Sequence, residues 1–427
     1  MSDGLRNDMR EARRASGMTW ADFSRASGFG VAYLRNVENG NRRVTSSVVA
    51  AYDRVLETGG AFAAALADVA PTDVPWNQAG ATLAVLTNLV DGRRVDRRSF
   101  LTAGVALSAS ASNWVTAIRR TLLDPRAAPM DGPSLLAGLE GRLDHLRRVD
   151  DELGSGEVYR AARSDLSLAV TAIKTGRYTG DHLARLYAIA AEAARQVAWA
   201  AFDQGRFGIA QGYFDASLRA SAECGDLIAG AYTLSFAAIQ CYSTPGLANR
   251  AVSLLEVARV QVKGTSTPRM EAMLAARTAR ALSKAGAKEE AKHQLHLSRA
   301  ALDKGRREDD PNCLYWVDYG EIEMIAGSSA LELGDPAEAL RRFEAGMKAS
   351  YPGDEEFPRS HAIYLARAAE AHLALHDLDA AVAAGRHAAV CLGSVDSARS
   401  ASQLRGLREK LAPHTAHAAV RDFLEAG

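Results

Sequence analysis

Cysteine is scarce in this 427-residue chain, and its four residues stand far apart in the sequence. No CxxC pair occurs, which argues against a zinc knuckle and against a thioredoxin-like redox pair. The four thiols lie in apolar helical contexts, which are typical of buried small side chains. They are Cys224, Cys241, Cys313 and Cys391. We therefore expect a reducing, cytoplasmic environment and neither a bound metal nor a cofactor.

Long hydrophobic runs and common catalytic motifs are also missing. No apolar run reaches the roughly 18 residues that a membrane span needs, and the charged N-terminus does not read as a signal peptide, so we expect no membrane partner. Neither GxxxxGKS/T, GxSxG nor HExxH occurs. His372 and His376 stand four residues apart, but His376 occupies a turn position, so a metal pair is not predicted. We expect a protein that is not an enzyme.

Proline and aromatic residues are few, whereas alanine, leucine and arginine are common, a composition that favours helices. The formal net charge is zero, but residues 1–44 carry eight arginines against five acidic residues. A small basic head on a neutral body is compatible with DNA binding without requiring it. The length predicts two or three folding units.

Turn residues divide the first 57 residues into four short helices. Gly17 ends the first helix, Thr19 is a good N-cap for the second, and Gly40 ends the third. The expected helices are 5–16, 19–27, 31–39 and 45–56. Two helices joined by a short glycine turn have the geometry that places the second helix in the major groove.

The segment MREARRASGMTWADFSRASGFGVAYLRNVENGNRRVTSSVVAAYDRVL resembles the Xre/Cro/lambda-repressor family of helix-turn-helix domains. An early arginine, the Gly17-Met18-Thr19 step, the Gly28-Phe29 turn and the Glu38-Asn39-Gly40 end match the family pattern at its spacing. The resemblance implies binding to double-stranded DNA. It also implies a buried ion pair between Arg13 and Glu38 that fixes the angle of the recognition helix.

The same resemblance implies which side chains meet DNA. Val31, Ala32 and Asn36 match groove-facing positions, and Arg35 lies close by. Asparagine can bond adenine, arginine can bond guanine, and valine or alanine can touch a thymine methyl group. For Arg35 and Asn36 the alternative is a solvated face without base contacts. The loop after the helix would meet phosphates through Asn39, Asn41, Arg42 and Arg43.

One position departs from the family pattern within this segment. The family usually has glutamine at the second position of the second helix, where it bonds a phosphate, whereas this chain has Trp20. An indole donates one hydrogen bond and does not replace an amide. Trp20 therefore stays a candidate DNA contact whose docking geometry is in question. Gly30 also replaces the usual serine or threonine cap of the recognition helix.

Five turn positions head a recurring pattern in the C-terminal part: Gly205, Gly246, Gly286, Gly334 and His376. Each is followed by alanine at +5, usually by a bulky apolar residue at +9, and by a small residue at +12. Their separations are 41, 40, 48 and 42 residues, longer than the usual 34 of the tetratricopeptide repeat that the pattern resembles. We predict an all-α protein with a helix-turn-helix bundle (1–70), a helical connector (71–134) and a right-handed, tetratricopeptide-like solenoid (135–427).

Such solenoids line their concave face with the first helix of each pair. By correspondence with that family, seven residues would face the groove and bind a peptide or a small-molecule effector. They are Glu192, Arg195, Trp199, Gln240, Arg280, Glu321 and Glu370. For each of them the alternative is burial or an ion pair within the repeats.

The combined architecture resembles peptide-responsive quorum regulators of Gram-positive bacteria and actinobacterial regulators of development. It predicts a sequence-specific transcriptional regulator that acts as a homodimer on a pseudo-palindromic operator, with the repeat domain as sensor and dimerisation element. The alternative is a protein–protein interaction adaptor whose helix-turn-helix domain no longer reads DNA.

Overall fold

The computed structural model describes residues 2–39, 41–42, 46–58, 62, 76, 80–91, 103–123, 134–349, 356–393, 395 and 397–426. Within these ranges twenty α-helices and two 3-10 turns form the regular structure, and no strand is present. The predicted all-α class, with a helix-turn-helix bundle followed by helical repeats, is confirmed. No helix in the described ranges is long and apolar enough to cross a membrane.

The head consists of four short helices around a small core. Phe23, Leu34, Val37 and Val48 are fully buried, and the ring of Phe23 meets the ring of Tyr52 edge to face at 4.6 Å between centroids. This arrangement buries the apolar face of each helix although none exceeds 14 residues. The helices are α1 (Ser2–Ala15), α2 (Trp20–Ser27), α3 (Val31–Glu38) and α4 (Ser46–Val55).

Two helices, α5 (Ala81–Val90) and α6 (Ala103–Leu123), occupy the predicted connector. The indole of Trp114 on α6 is fully buried, and a Cβ placed on Gly230 would lie 2.1 Å from its ring. Only a glycine lets the helix that carries Gly230 approach Trp114 this closely. The connector therefore packs against the helices that follow it.

Fourteen further helices complete the described chain. The first seven are α7 (Ser134–Leu153), α8 (Ser155–Lys174), α9 (Gly180–Asp203), α10 (Phe207–Cys224), α11 (Leu227–Tyr242), α12 (Ala248–Gln261) and α13 (Pro268–Lys284). The others are α14 (Lys288–Leu302), α15 (Tyr319–Glu332), α16 (Pro336–Lys348), α17 (Pro358–Ala374), α18 (Leu378–Leu392), α19 (Ala398–Leu411) and α20 (Ala418–Glu425). Among these helices α11 packs with α12, α13 with α14, α15 with α16 and α17 with α18, each pair as a hairpin.

The five turn positions of the repeat pattern share one backbone conformation. Each has a φ angle between 63° and 79°, in the left-handed region. Each stands two residues before the second helix of a pair, where the chain must reverse direction. Four of the five are glycines, which adopt this conformation without strain, whereas the last is His376.

The offsets after each turn place small side chains between the paired helices. The alanines at +5 are at most 1% exposed, and they are Ala210, Ala251, Ala291, Ala339 and Ala381. At +12, the Ser217 hydroxyl donates to the Ala191 carbonyl at 2.8 Å, and Ser298 donates to Ala272 at the same distance. A larger side chain at either serine would push the two helix backbones apart.

The contacts divide the chain into two compact units. The first comprises Met1–Leu143, Ala162–Phe202 and Arg206–Lys263, and the second comprises Asp144–Ala161, Asp203–Gly205 and Gly264–Gly427. The head and the hairpin of α11 with α12 therefore belong to one unit. The sequence-derived domain limits at residues 70 and 134 stay predictions, because they lie within or beside segments outside the described residues.

Candidate nucleic-acid interface

Caps and glycines define the turn between α2 and α3. The Thr19 hydroxyl accepts the backbone N–H of Asp22 at 3.2 Å and so caps α2. Gly28 ends α2 in the left-handed conformation, with φ 79°, and its N–H bonds the Ser24 carbonyl. Gly30 is the N-cap of α3 and provides no side-chain bond. The recognition helix therefore begins without the cap that serine or threonine would supply.

A buried ionic network fixes the end of α3 against two other helices. Arg13 of α1 donates to both carboxylate oxygens of Glu38, at 2.8 and 3.0 Å, and the hydroxyl of Tyr52 from α4 donates to the same carboxylate at 2.8 Å. The bond to Glu38 raises the pKa of the Arg13 guanidinium, and burial raises the pKa of Tyr52. The structure thus brings Arg13 and Glu38 together and adds a third partner.

The outer face of α3 carries the side chains expected to meet bases. Ala32 and Arg35 are exposed, while Val31 and Asn36 are half-buried. Leu34 and Val37, on the opposite face, are fully buried in the head core. The helix therefore presents a short polar and small-residue face to solvent.

The loop after α3 is ordered by bonds back to the helix. The backbone N–H of Arg42 donates to the Asn36 carbonyl at 3.0 Å, and the Asn41 amide donates to the Asn36 side chain at 3.5 Å. The Arg42 guanidinium also lies 5.2 Å from the centre of the Tyr33 ring. Asn39, Asn41 and Arg42 are exposed, whereas Arg43 lies outside the described residues.

Trp20 lies between two arginines. The Arg13 guanidinium is 3.6 Å from the centre of its ring, and the Arg35 guanidinium is 5.3 Å away. Cations over an indole face are attracted by the ring quadrupole. Trp20 thus links the buried ionic network to the exposed arginine of the recognition helix.

Sequence reasoning missed two of the polar contacts around Glu38. Tyr52 has no signal of its own in the sequence, although a carboxylate has about four acceptor sites and a bidentate arginine fills only two of them. The Arg10 side chain donates to the backbone carbonyl of Glu38 and lies 3.4 Å from the Asn39 amide oxygen. Both residues help to hold the C-terminal end of α3.

The head also contacts the repeat hairpins within the first unit. Arg250 of α12 donates to both carboxylate oxygens of Asp8, at 2.7 and 2.8 Å. A Cβ placed on the turn residue Gly246 would lie 2.9 Å from the Ala12 backbone nitrogen. The conformational freedom of this glycine and its lack of a side chain are both needed where α1 rests on the turn.

Of the four predicted effector residues of the first unit, three are buried and Glu192 is half-buried. Arg195 is 3% exposed and makes two bonds to Glu192, at 2.7 and 2.8 Å, with its guanidinium 4.7 Å from the Phe236 ring centre. Trp199 is 7% exposed and meets Phe236 edge to face. Gln240 is buried and donates to the Phe207 carbonyl. These contacts match the alternative of burial or an ion pair within the repeats, and the role of the four residues toward an effector stays a prediction.

The three predicted effector residues of the second unit also have protein partners. Arg280 is buried against Ser283 and Glu332. Glu370 accepts a bond from Lys410 at 2.6 Å. Glu321 accepts the Tyr364 hydroxyl at 2.6 Å, and burial raises its pKa to about 8. These contacts match the alternative of ion pairs and burial within the repeats.

Comparison with known families supports the interpretation of the head. Residues 5–66 match a family model described as a helix-turn-helix domain. The match covers about a seventh of the chain. No curated protein matches this sequence. The head is thus a helix-turn-helix domain, the element through which many regulators bind DNA.

Proposed function

We propose that this protein is a sequence-specific, DNA-binding transcriptional regulator of the Xre type. The observation that carries the proposal is the recognition helix α3, which exposes Ala32 and Arg35 while Glu38 ties its end to α1 and α4. A helix that is both exposed and held at a fixed angle is what reading of base edges in the major groove requires.

The exposed side chains suit distinct parts of a DNA duplex. Arg35 has the paired donors that match guanine, and Asn36 can bond adenine if its contact with Asn41 opens. Ala32 and Val31 fit thymine methyl groups. In this proposal Asn39, Asn41 and Arg42, which are exposed after α3, meet phosphates and set the register of the helix.

Trp20 supports readout by orienting an arginine. The Arg35 guanidinium lies 5.3 Å from the centre of the Trp20 ring, and the family usually has glutamine at this position. We infer that Trp20 limits the freedom of Arg35 before DNA arrives, which lowers the entropy lost on binding. We further propose that its indole N–H donates one bond to a phosphate.

Control by an effector can reach the head through its contact with α12. The Asp8–Arg250 ion pair and the close approach of Gly246 to Ala12 tie α1 to one repeat hairpin. An effector peptide or small molecule that shifts this hairpin would release or reorient the head. A homodimer would present two heads to half-sites about 34–36 Å apart, the spacing of one helical turn.

The first experiment maps bound DNA across the genome of the source organism and measures affinity for the enriched sequence by fluorescence anisotropy. Arg35→Ala and Asn36→Ala should each weaken binding to the preferred site by about 1–3 kcal/mol and weaken binding to random DNA much less. Arg341→Ala is the charge-matched control, because Arg341 is an exposed arginine on α16. Equal loss on both DNAs would exclude base readout by these two residues, and no enriched sequence at all would favour the adaptor alternative.

The contact between head and hairpin is tested separately. Gly246→Ala places a methyl group against Ala12 and should change operator affinity. Gly205→Ala is the matched control, since Gly205 has a similar φ of 74° but nothing within 4 Å of its added Cβ. Equal affinities for the two variants would show that this contact does not govern the head.

A further inference from the structure

Three side chains with metal-binding atoms meet in the last complete hairpin. His361 lies in the first turn of α17, while His387 and Cys391 lie near the end of α18. The two helices fold back on each other, so the start of one faces the end of the other. His387 and Cys391 are four residues apart and therefore share one face of α18.

The distances suit a metal ion. One imidazole nitrogen from each histidine and the Cys391 sulfur all lie within 4.8 Å of one another. Tetrahedral zinc, with bonds of about 2.0–2.1 Å to nitrogen and about 2.3 Å to sulfur, places its ligand atoms roughly 3.3–3.8 Å apart. The 4.8 Å limit exceeds these separations by about 1 Å, a difference that small rotations of the three side chains can close.

Burial gives the cluster a closed side and an open side. His361 is 3% exposed and Cys391 is 5% exposed, whereas His387 is at the surface. Arg359, two residues before His361, is paired with Asp150 at 2.8 Å, so its positive charge is compensated. Three protein ligands with one side open to solvent is the arrangement of zinc sites that keep an exchangeable fourth position.

We propose that His361, His387 and Cys391 bind a borderline-soft divalent cation, with Zn²⁺ as the first candidate. Two imidazoles and a thiolate favour zinc, cobalt or copper over magnesium and calcium, which prefer oxygen ligands. The site differs from the His372–His376 pair considered from sequence, because His372 faces Asp377 at 3.7 Å and His376 forms the turn. The proposal goes beyond the proposed regulatory function and does not depend on DNA binding.

The test uses the full chain, stripped with a chelator and titrated with Co²⁺ and then Zn²⁺. We expect one equivalent of Co²⁺ to give the visible bands of tetrahedral cobalt with a thiolate charge-transfer band, and Zn²⁺ to displace it. Cys391→Ser should abolish the charge-transfer band. His387→Ala should lower Zn²⁺ affinity about tenfold or more, which corresponds to about 1.4 kcal/mol.

Two controls keep the test decisive. His372→Ala removes another histidine of α17, and Cys313→Ser removes a thiol outside the cluster, so both should bind like the unaltered chain. His387 is exposed, so His387→Ala is expected to fold even if Cys391→Ser does not. Zn²⁺ should raise the unfolding temperature of the unaltered chain and of the controls more than that of His387→Ala at the same concentration.

Three results would overturn the proposal. They are the absence of stoichiometric binding, an octahedral cobalt spectrum without a thiolate band, and equal affinity in the unaltered chain and His387→Ala. In those cases the two imidazole rings, whose centroids are 5.5 Å apart at 76°, are a packing contact alone.

Discussion

In the head, one carboxylate holds three helices, whereas in the hairpins small side chains at fixed offsets hold two. Glu38 binds Arg13 of α1 and Tyr52 of α4 while sitting at the end of α3. Each hairpin instead repeats an alanine at +5 and a small residue at +12. The stability of the head thus depends on a few charged groups, each of which occurs once. The stability of the hairpins depends on close packing of small side chains that is repeated in each pair.

The largest effect is expected where the head relies on a single group. Glu38→Gln removes the charge that compensates buried Arg13, which should lower the free energy of unfolding of the head by about 3–5 kcal/mol. Hydrogen exchange of α1–α4 in the full chain measures this loss.

Glu57→Gln, at an exposed carboxylate just after α4, should leave exchange in the head nearly unchanged. The double variant Arg13→Met with Glu38→Leu should lose less unfolding free energy than Glu38→Gln alone. In the double variant neither charge of the pair remains buried. If Glu38→Gln lowers the free energy of unfolding by less than about 1 kcal/mol, the head does not depend on this buried ion pair, and the proposed difference between head and hairpins is wrong.

The second largest effect is expected at Asp8, where the head contacts Arg250 of a repeat hairpin. Burial raises the pKa of Asp8 to about 6 although Arg250 opposes the shift. A carboxyl group whose pKa is higher in the folded chain stabilises that state most below its unfolded pKa, and this contribution is lost as the pH rises through the folded value. Relative to Asp8→Asn, the chain should therefore lose up to about 3 kcal/mol between about pH 4 and pH 6.

Urea unfolding at several pH values measures this difference. Asp379→Asn serves as control, because Asp379 is an exposed carboxylate on α18. A constant difference between the unaltered chain and Asp8→Asn across this range would show that Asp8 does not titrate with folding.

The third effect tests the shape of a hairpin. A Cβ on Gly327 would lie 2.7 Å from the Phe343 ring, so Gly327→Ala should destabilise the chain by about 1–3 kcal/mol. Gly138→Ala is the opposite control, because its added Cβ meets nothing within 4 Å and alanine favours a helix by about 0.5–1 kcal/mol. Denaturant midpoints of both variants measure the effects, and shifts of the same sign would contradict this account.

The smallest effect is expected at His376, the one of the five turn positions that is not a glycine. His376 has a φ of 63°, so His376→Gly should stabilise the chain by about 0.5–1 kcal/mol by removing backbone strain. Leu375→Gly, at the neighbouring residue with a φ of −91°, should instead destabilise it. Thermal unfolding distinguishes the two, and a loss of stability in His376→Gly would show that its side chain has a role that outweighs the strain.

Most features that the sequence predicts correctly depend on residues that act on the backbone close to them. Gly28, Thr19 and the five turn positions act on the backbone within a few residues, so helix limits follow from them. The surroundings of the predicted groove residues do not follow from such local signals, because burial depends on which helices pack together. Arg195 is covered by Phe236, 41 residues later, and Asp8 meets Arg250, 242 residues later. No pattern in a single sequence encodes such distant pairings.

The uneven spacing of the turns has a consequence for how such chains are recognised. Within a hairpin the register is constant: Ser217 contacts Ala191, Ser298 contacts Ala272, and a Cβ on Gly346 would meet Gly320, each pair 26 residues apart. The 48-residue step is accommodated instead between α14 and α15, in a segment whose Leu314 and Val317 are fully buried. Profile methods that assume one period lose alignment there, whereas a profile anchored to the interval inside each hairpin would detect diverged members of this architecture.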